Sequence, residues 1–180
     1  MVYPVEIRTD NLLIRELTLD DHARFLQLSS DSDVVRYLAF GPTSDAEAQG
    51  MINFAIRSAD LQARTEYVLA IDSRSTGYLI GSCGLATALD APVSAEVFFV
   101  FRKDAWGNGY GSEALRSLID FSFDHLNFRR VYGQAHPDNT YSIATMERVG
   151  MLYEGVGENP LAGAGDTQNG VRYAVLNRDN

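Results

Sequence analysis

Several things that would mark a chain for export, a membrane or a metal are scarce here. The only cysteine is Cys83, so no internal disulfide can form. No apolar run approaches the ~20 residues that cross a bilayer. The opening MVYPVEIRTDNLL has no basic-then-apolar layout of a secretory signal, and the expectation is a protein of the reducing cytoplasm with no membrane partner. His22, His125 and His136 form no cluster of metal-ligand spacing with that cysteine, so no metal is expected. Basic residues are few as well. With 15 Lys and Arg against 24 Asp and Glu, the formal net charge is −9. Such a surface repels phosphate backbones and argues against a nucleic-acid partner, whereas a cationic or amine-bearing partner is attracted.

What remains is ordinary for a globular domain: 180 residues, 46% hydrophobic and 22% charged, with no linker, repeat or low-complexity tract. One domain over residues 1–180 is expected. LLIREL (12–17) reads as a first strand. Thr18, with an acid three residues on, opens a helix through HARFLQL, and Ser44 with Glu47 repeats the device ahead of a second helix. Between them, VVRYLAFG (34–41) is too broken for either pattern. EYVLAID (66–72) and YLIGSCGLA (78–86), split by SRSTG, read as a hairpin, and AEVFFVF (95–101) as a further strand. After WGNGYG (106–111), Leu115, Leu118, Ile119 and Ser122 trace a helical face. RRVYGQAH (129–136) is a strand, DNTYSIATMERVG (138–150) a helix stopped by Gly150, and MLYEGV and VRYAVLN (171–177) close the chain around a glycine-rich loop. The order β-α-α-β-β-β-α-β-α-β-β predicts an α/β (α+β) fold. It is a mixed, mostly antiparallel twisted sheet flanked by helices, with one parallel crossover around WGNGYG.

WGNGYG carries three glycines in six positions just before a helix. The N–H groups and dipole at a helix start attract anions, and glycines let a phosphate approach the backbone. A phosphate or pyrophosphate cradle is the functional reading, and a connecting turn the bland one. GYGSEA (109–114) satisfies G-x-G-x-x-A, yet RKDAW separates it from the preceding strand and the next strand ends Gln134, Ala135, His136 with no ribose-binding acid. A Walker A loop is excluded, because no Lys-Ser/Thr follows the glycines.

WGNGYGSEA (106–114), TDNLLIRELTLDD (9–21), DNTYSIATMERVGM (138–151) and YAVLNRD (173–179) together resemble the GNAT superfamily of acyl-CoA-dependent N-acetyltransferases. The likeness is to the branch that contains the ribosomal-protein N-terminal acetyltransferases. Trp106 stands where glutamine or arginine is commoner in the superfamily's Q/R-x-x-G-x-G/A motif, as is typical of that branch. The resemblance implies that acetyl-CoA is the cosubstrate. Its pyrophosphate would lie on the backbone of Trp106, Gly107, Asn108, Gly109, Tyr110, Gly111 and Ser112. Its pantetheine arm would pair with Phe99, Val100 and Phe101, with Asn139 and Ser142 reaching it from the far side.

The implied chemistry is direct acetyl transfer from a thioester to a primary amine, of a protein N-terminus or of a small molecule. A base must take the amine's proton and an acid must serve the thiolate. Glu96, at the start of the arm-binding strand, is the expected base, with an ion-paired strand end as the bland reading and His136 as the alternative. The tyrosine acid found in many superfamily members is replaced by Met146, so Ser142 or a water is expected to serve. Cys83 is read as packing. Tyr37 and Phe40 are candidate acceptor walls, together with the loop over 157–170. A non-catalytic acyl-CoA-binding sensor is the alternative function, and either a monomer or a homodimer is compatible with the sequence.

Overall fold

The chain forms β1 (Glu6–Arg8), β2 (Leu12–Glu16), α1 (His22–Ser29), α2 (Asp45–Ala59), β3 (Glu66–Ser73), β4 (Leu79–Ala88) and β5 (Ala91–Phe101). α3 (Tyr110–Asp124), β6 (Arg130–Ala135), α4 (Thr140–Arg148), β7 (Leu152–Gly157) and β8 (Gly170–Leu176) follow. These assignments come from a computed structural model that describes residues 4–38, 40–88, 91–157 and 170–177. The strands make one eight-stranded sheet in the order β1-β2-β3-β4-β5-β6-β8-β7. Its pairs are antiparallel except β5 with β6, which α3 connects as the crossover expected around WGNGYG.

Alternation along the strands splits the core between the two sheet faces. Leu69, Ile71, Cys83, Leu85, Ala95 and Val97 point to the face covered by α3 and α4, where they meet Leu115, Leu118 and Met146. Ala70 points the other way, toward α1 and α2, with Phe25, Leu28, Ile52 and Ala55. The Ser44 box forms as expected: its Oγ accepts from the Glu47 N–H at 3.4 Å, and the Glu47 carboxylate accepts from the Ser44 N–H at 2.7 Å.

Two local features depart from the sequence reading, while the broken pattern around VVRYLAFG is matched by turns. Glu6–Arg8 adds a short strand that pairs with β2 at the edge of the sheet, with no second neighbour among the described residues. The turn after Thr18 is a 3-10 turn over Leu19–Asp21, not yet α-helix. There the Asp21 carboxylate accepts from the Thr18 N–H at 2.8 Å and from both Arg15 Nη atoms at 2.8 Å, which draws the first turn tight against β2. Residues 31–38 form successive turns with no helix or strand.

Candidate active site

Because β5 and β6 run parallel, their carboxyl ends open at the same edge of the sheet. The loop to α3 and the start of α4 both sit there, an arrangement in which ligands commonly bind. Pairing between the two strands is confined to Ser94 with Arg130, Ala95 with Val131 and Glu96 with Tyr132. Beyond Glu96, β5 stays with β4 while β6 stays with β8, so a gap opens between them.

The hydrogen-bond ladder fixes which main-chain groups of β5 face this gap. Arg102 donates to the Ile80 carbonyl at 2.9 Å, and Arg129 donates to the Val93 carbonyl at 2.8 Å. Even-numbered residues of β5 therefore hydrogen-bond to β4, and odd-numbered ones face β6. Val100 is turned to Ser82 of β4. The Phe101 carbonyl faces the gap but accepts from Trp106 Nε1 at 2.8 Å. Phe99 directs both its N–H and its C=O into the gap, with no strand opposite it among the described residues. Of the stretch Phe99 to Phe101, the Phe99 main chain and the Phe101 N–H are thus the groups aimed where an extended ligand arm could pair.

At the mouth of the gap, the three glycines have two different causes. Gly107 and Gly109 have φ of +78° and +81°, a conformation costly for other residues, and a Cβ on either would meet nothing within 4 Å. Gly111 has ordinary helical backbone. A Cβ there would lie 3.1 Å from the Tyr141 hydroxyl and 3.5 Å from Thr145, so this glycine admits a side chain of α4. Asn108 Nδ2 donates to the carbonyls of Ala105 and Trp106, both at 3.1 Å, which fixes the turn. The Trp106 N–H is engaged with the Lys103 carbonyl. Gly109 is the N-cap of α3, and the N–H groups of Tyr110, Gly111 and Ser112 that follow have no acceptor within the helix. Arg148 Nη1 lies 3.3 Å from Ser112 Oγ, placing a cation at this helix start in an otherwise acidic protein. Open space over two glycines, N–H groups with no acceptor among the described residues and an arginine suit an anionic pyrophosphate. On the opposite side, Asn139 caps α4 by accepting from the Ser142 N–H at 3.1 Å, and Ser142 is half-buried on the first turn.

Glu96 stands where the two strands part. Its Oε1 accepts from Gln134 Nε2 at 3.2 Å, and its Oε2 from the Tyr132 hydroxyl at 3.5 Å. Burial pushes its carboxyl above the usual range, against the opposing pull of the Gln134 hydrogen bond, the Arg172 charge and Tyr132. The carboxylate also fixes the Gln134 amide, because the reversed orientation would set oxygen against oxygen. That leaves Gln134 Oε1 buried with no hydrogen-bond partner among the described residues, and Arg172 Nε is in the same position. Gln134 and Arg172 are direct cross-strand partners of β6 and β8, 38 and 76 residues from Glu96, which is why neither was visible beside it in the sequence.

Other candidates fall around this centre. His136 stacks on Tyr37, with ring centroids 5.2 Å apart, and its Nδ1 accepts from the Asp138 N–H at 3.1 Å. That bond puts the neutral ring's proton on Nε2. Phe40 lines an apolar cavity under α1 and α2. Residues 158–169 of the suggested acceptor loop lie outside the described residues. Met146 is buried in the core, 2.9 Å from where a Gly133 Cβ would be, and offers no proton. Cys83 is buried on the α3 side, and burial pushes its thiol up, so it is a packing residue. Among the described residues no group of three or more His, Cys, Asp or Glu could hold a metal, and no helix is long and apolar enough to cross a membrane.

Comparison with known proteins converges on one family. Residues 11–152 match the acetyltransferase (GNAT) domain. The chain is 28% identical over 172 residues to uncharacterized N-acetyltransferase p20 of Bacillus licheniformis, covering 95% of this chain and 96% of that protein. In structure it is similar to RimL, a ribosomal L7/L12 alpha-N-protein acetyltransferase in complex with coenzyme A. The TM-score is 0.85 and the identity 18%, over 98% of this chain and 100% of that one. It is also similar to spermidine N-acetyltransferase from Vibrio cholerae in complex with CoA and spermine, with a TM-score of 0.78, 21% identity, and 93% and 96% covered.

Proposed function

Because the chain belongs to the GNAT family of acetyltransferases, we propose that it moves the acetyl group of acetyl-CoA directly onto a primary amine. The observation that carries this reading is the gap between β5 and β6, which has Glu96 at its closed end and the glycine turn at its mouth. The main chain of Phe99 and the Phe101 N–H pair with the pantetheine arm. The turn from Gly107 to Ser112 and the arginine at its helix start hold the pyrophosphate. Both RimL and the Vibrio spermidine enzyme are CoA complexes, which supports the assignment.

The amine nitrogen attacks the thioester carbonyl, the C–N bond forms and the C–S bond breaks. An N–H of the β5 edge faces the oxyanion that develops. Glu96 takes the proton that the nitrogen loses, and its raised pKa suits a carboxylate to that task. Ser142 passes a proton to the departing thiolate and regains one from solvent. No covalent enzyme intermediate is needed, in keeping with the buried Cys83.

Incubation with acetyl-CoA and a panel of primary amines, read by mass spectrometry, tests the proposal. The expected result is N-acetylated amine and free CoA in equal amounts. Binding of acetyl-CoA without turnover of any amine would mark a sensor and overturn it.

A further inference from the structure

On the same face of β5 as Glu96 lies an apolar cavity of about 600 Å³, within the size range of small-molecule sites. Its floor is Val68, Ser82, Phe98 and Val100 from three adjacent strands. One wall is a stripe of α2, Glu47, Gly50, Met51 and Phe54, which share a helix face by their spacing. Phe40 and Phe54 are 39% and 42% exposed, so the cavity opens to solvent between aromatic rings.

Two glycines shape this space. Gly50 contributes no side chain to its stripe, and a Cβ built there meets nothing within 4 Å. Gly84 lets the Phe98 ring lie flat on β4, since a Cβ there would come 2.4 Å from Phe98 Cζ. The polar groups of the lining are already engaged. The Ser82 hydroxyl donates to the Leu69 carbonyl at 2.8 Å, and the Ser29 hydroxyl to the Phe25 carbonyl at 2.9 Å. Glu47 Oε2 accepts from the N–H and the hydroxyl of Ser44, both at 2.7 Å. What faces the cavity is hydrocarbon, a poor host for a charged group.

Glu96 and Phe98 are two residues apart on one strand face, about 6–7 Å by strand rise. An amine held at the Glu96 carboxylate therefore carries its substituent over Phe98 toward Val100. Resting on the acetyltransferase reading above, we propose that the acceptor is a primary amine bearing a bulky apolar group, aliphatic or aromatic, and that this cavity seats the group. The net charge pointed to a cationic acceptor, but Glu47 is the only charged side chain in the lining, one carboxylate already accepting from Ser44 against the several cations of a polyamine or amino sugar.

The test compares kcat/KM for leucinamide, phenylalaninamide, glycinamide and spermidine at saturating acetyl-CoA, in the wild type, Gly50→Ala and Gly50→Leu. The two bulky amides should exceed glycinamide roughly tenfold or more, mainly through KM. Gly50→Leu, which fills the cavity from a position with room for a side chain, should lower that ratio about tenfold, and Gly50→Ala should lower it less. Circular dichroism verifies that both variants fold. Preference for glycinamide or spermidine, or a ratio unmoved by Gly50→Leu while transfer proceeds, overturns the apolar acceptor and leaves the acetyltransferase reading standing. A Gly50→Leu variant that changes only the preference between acetyl- and octanoyl-CoA would assign the cavity to the acyl chain and likewise overturn the proposal. If acetyl-CoA binds and no amine reacts, the acetyltransferase reading itself fails and the apolar acceptor with it.

Discussion

Replacing Glu96 by glutamine separates catalysis from stability, because the two should move in opposite directions. The amide oxygen of glutamine can still accept from Gln134 Nε2, now 3.2 Å from the carboxylate, so the local geometry survives. What is lost is the ability to take a proton. General-base catalysis is worth ~10²–10⁴-fold, about 3–5 kcal/mol of barrier. kcat/KM for the amine should fall by that factor. Stability should not fall. Burial raises the Glu96 carboxyl in the folded state, so between its unfolded and folded pKa values the folded protein binds more protons than the unfolded one. Across that window wild-type stability declines as pH rises, and above it the full cost of the buried carboxylate is present. Glu96→Gln removes that cost, so at neutral pH its thermal midpoint should equal or exceed that of the wild type. In the pH profile, the variant should lose the contribution of Glu96 to the acidic limb of kcat/KM and keep only the limb set by protonation of the amine itself. Steady-state kinetics from pH 5 to 9 and thermal unfolding at the same pH values supply both readings. Wild-type kcat/KM across the range refutes the base assignment. A matched loss of activity and thermal midpoint would make Glu96 structural.

Other consequences can be checked separately. Gly109→Ala meets no steric obstacle but must hold φ near +81°, a strain of ~1–2 kcal/mol. Its thermal midpoint and its acetyl-CoA affinity should both drop, and calorimetry with wild-type values would show that the left-handed turn is dispensable. Gly84→Ala would place a Cβ 1.9 Å from the Tyr67 carbonyl oxygen, forcing two strands apart. Urea unfolding should show a loss of at least ~1–3 kcal/mol, with poorer use of bulky amines wherever the protein still folds. Cys83, buried with its thiol pushed up, should resist a thiol reagent in the native protein and react fully in denaturant. Rapid native labelling would contradict its burial.

Much of this architecture was legible because it rests on short-range signals. Ser44 with Glu47 marked the start of α2, Gly150 at φ +87° the end of α4, and the apolar strand before WGNGYG the parallel crossover. The site was legible in part. Gly109 stands out as a helix start, but Gly111 is set by Tyr141, thirty residues away, and a local reading could not tell packing from phosphate binding. The company of Glu96 depends on sheet register: β6 places Gln134 near it, and the insertion of β8 between β6 and β7 brings Arg172. Nothing in a linear pattern reports that insertion. The cavity was invisible for a similar reason, since it arises where residues 31–38 form turns instead of packing a helix onto the sheet, and where Gly50 interrupts an apolar stripe.

Calorimetric titration of the purified protein with acetyl-CoA, with NAD as the control ligand, tests most directly the claim that the β5–β6 gap and its glycine turn form a cosubstrate site. The account predicts saturable binding of about one acetyl-CoA per chain, weakened in Gly109→Ala, and no response to NAD. Absence of acetyl-CoA binding, or equal binding of NAD, would contradict it.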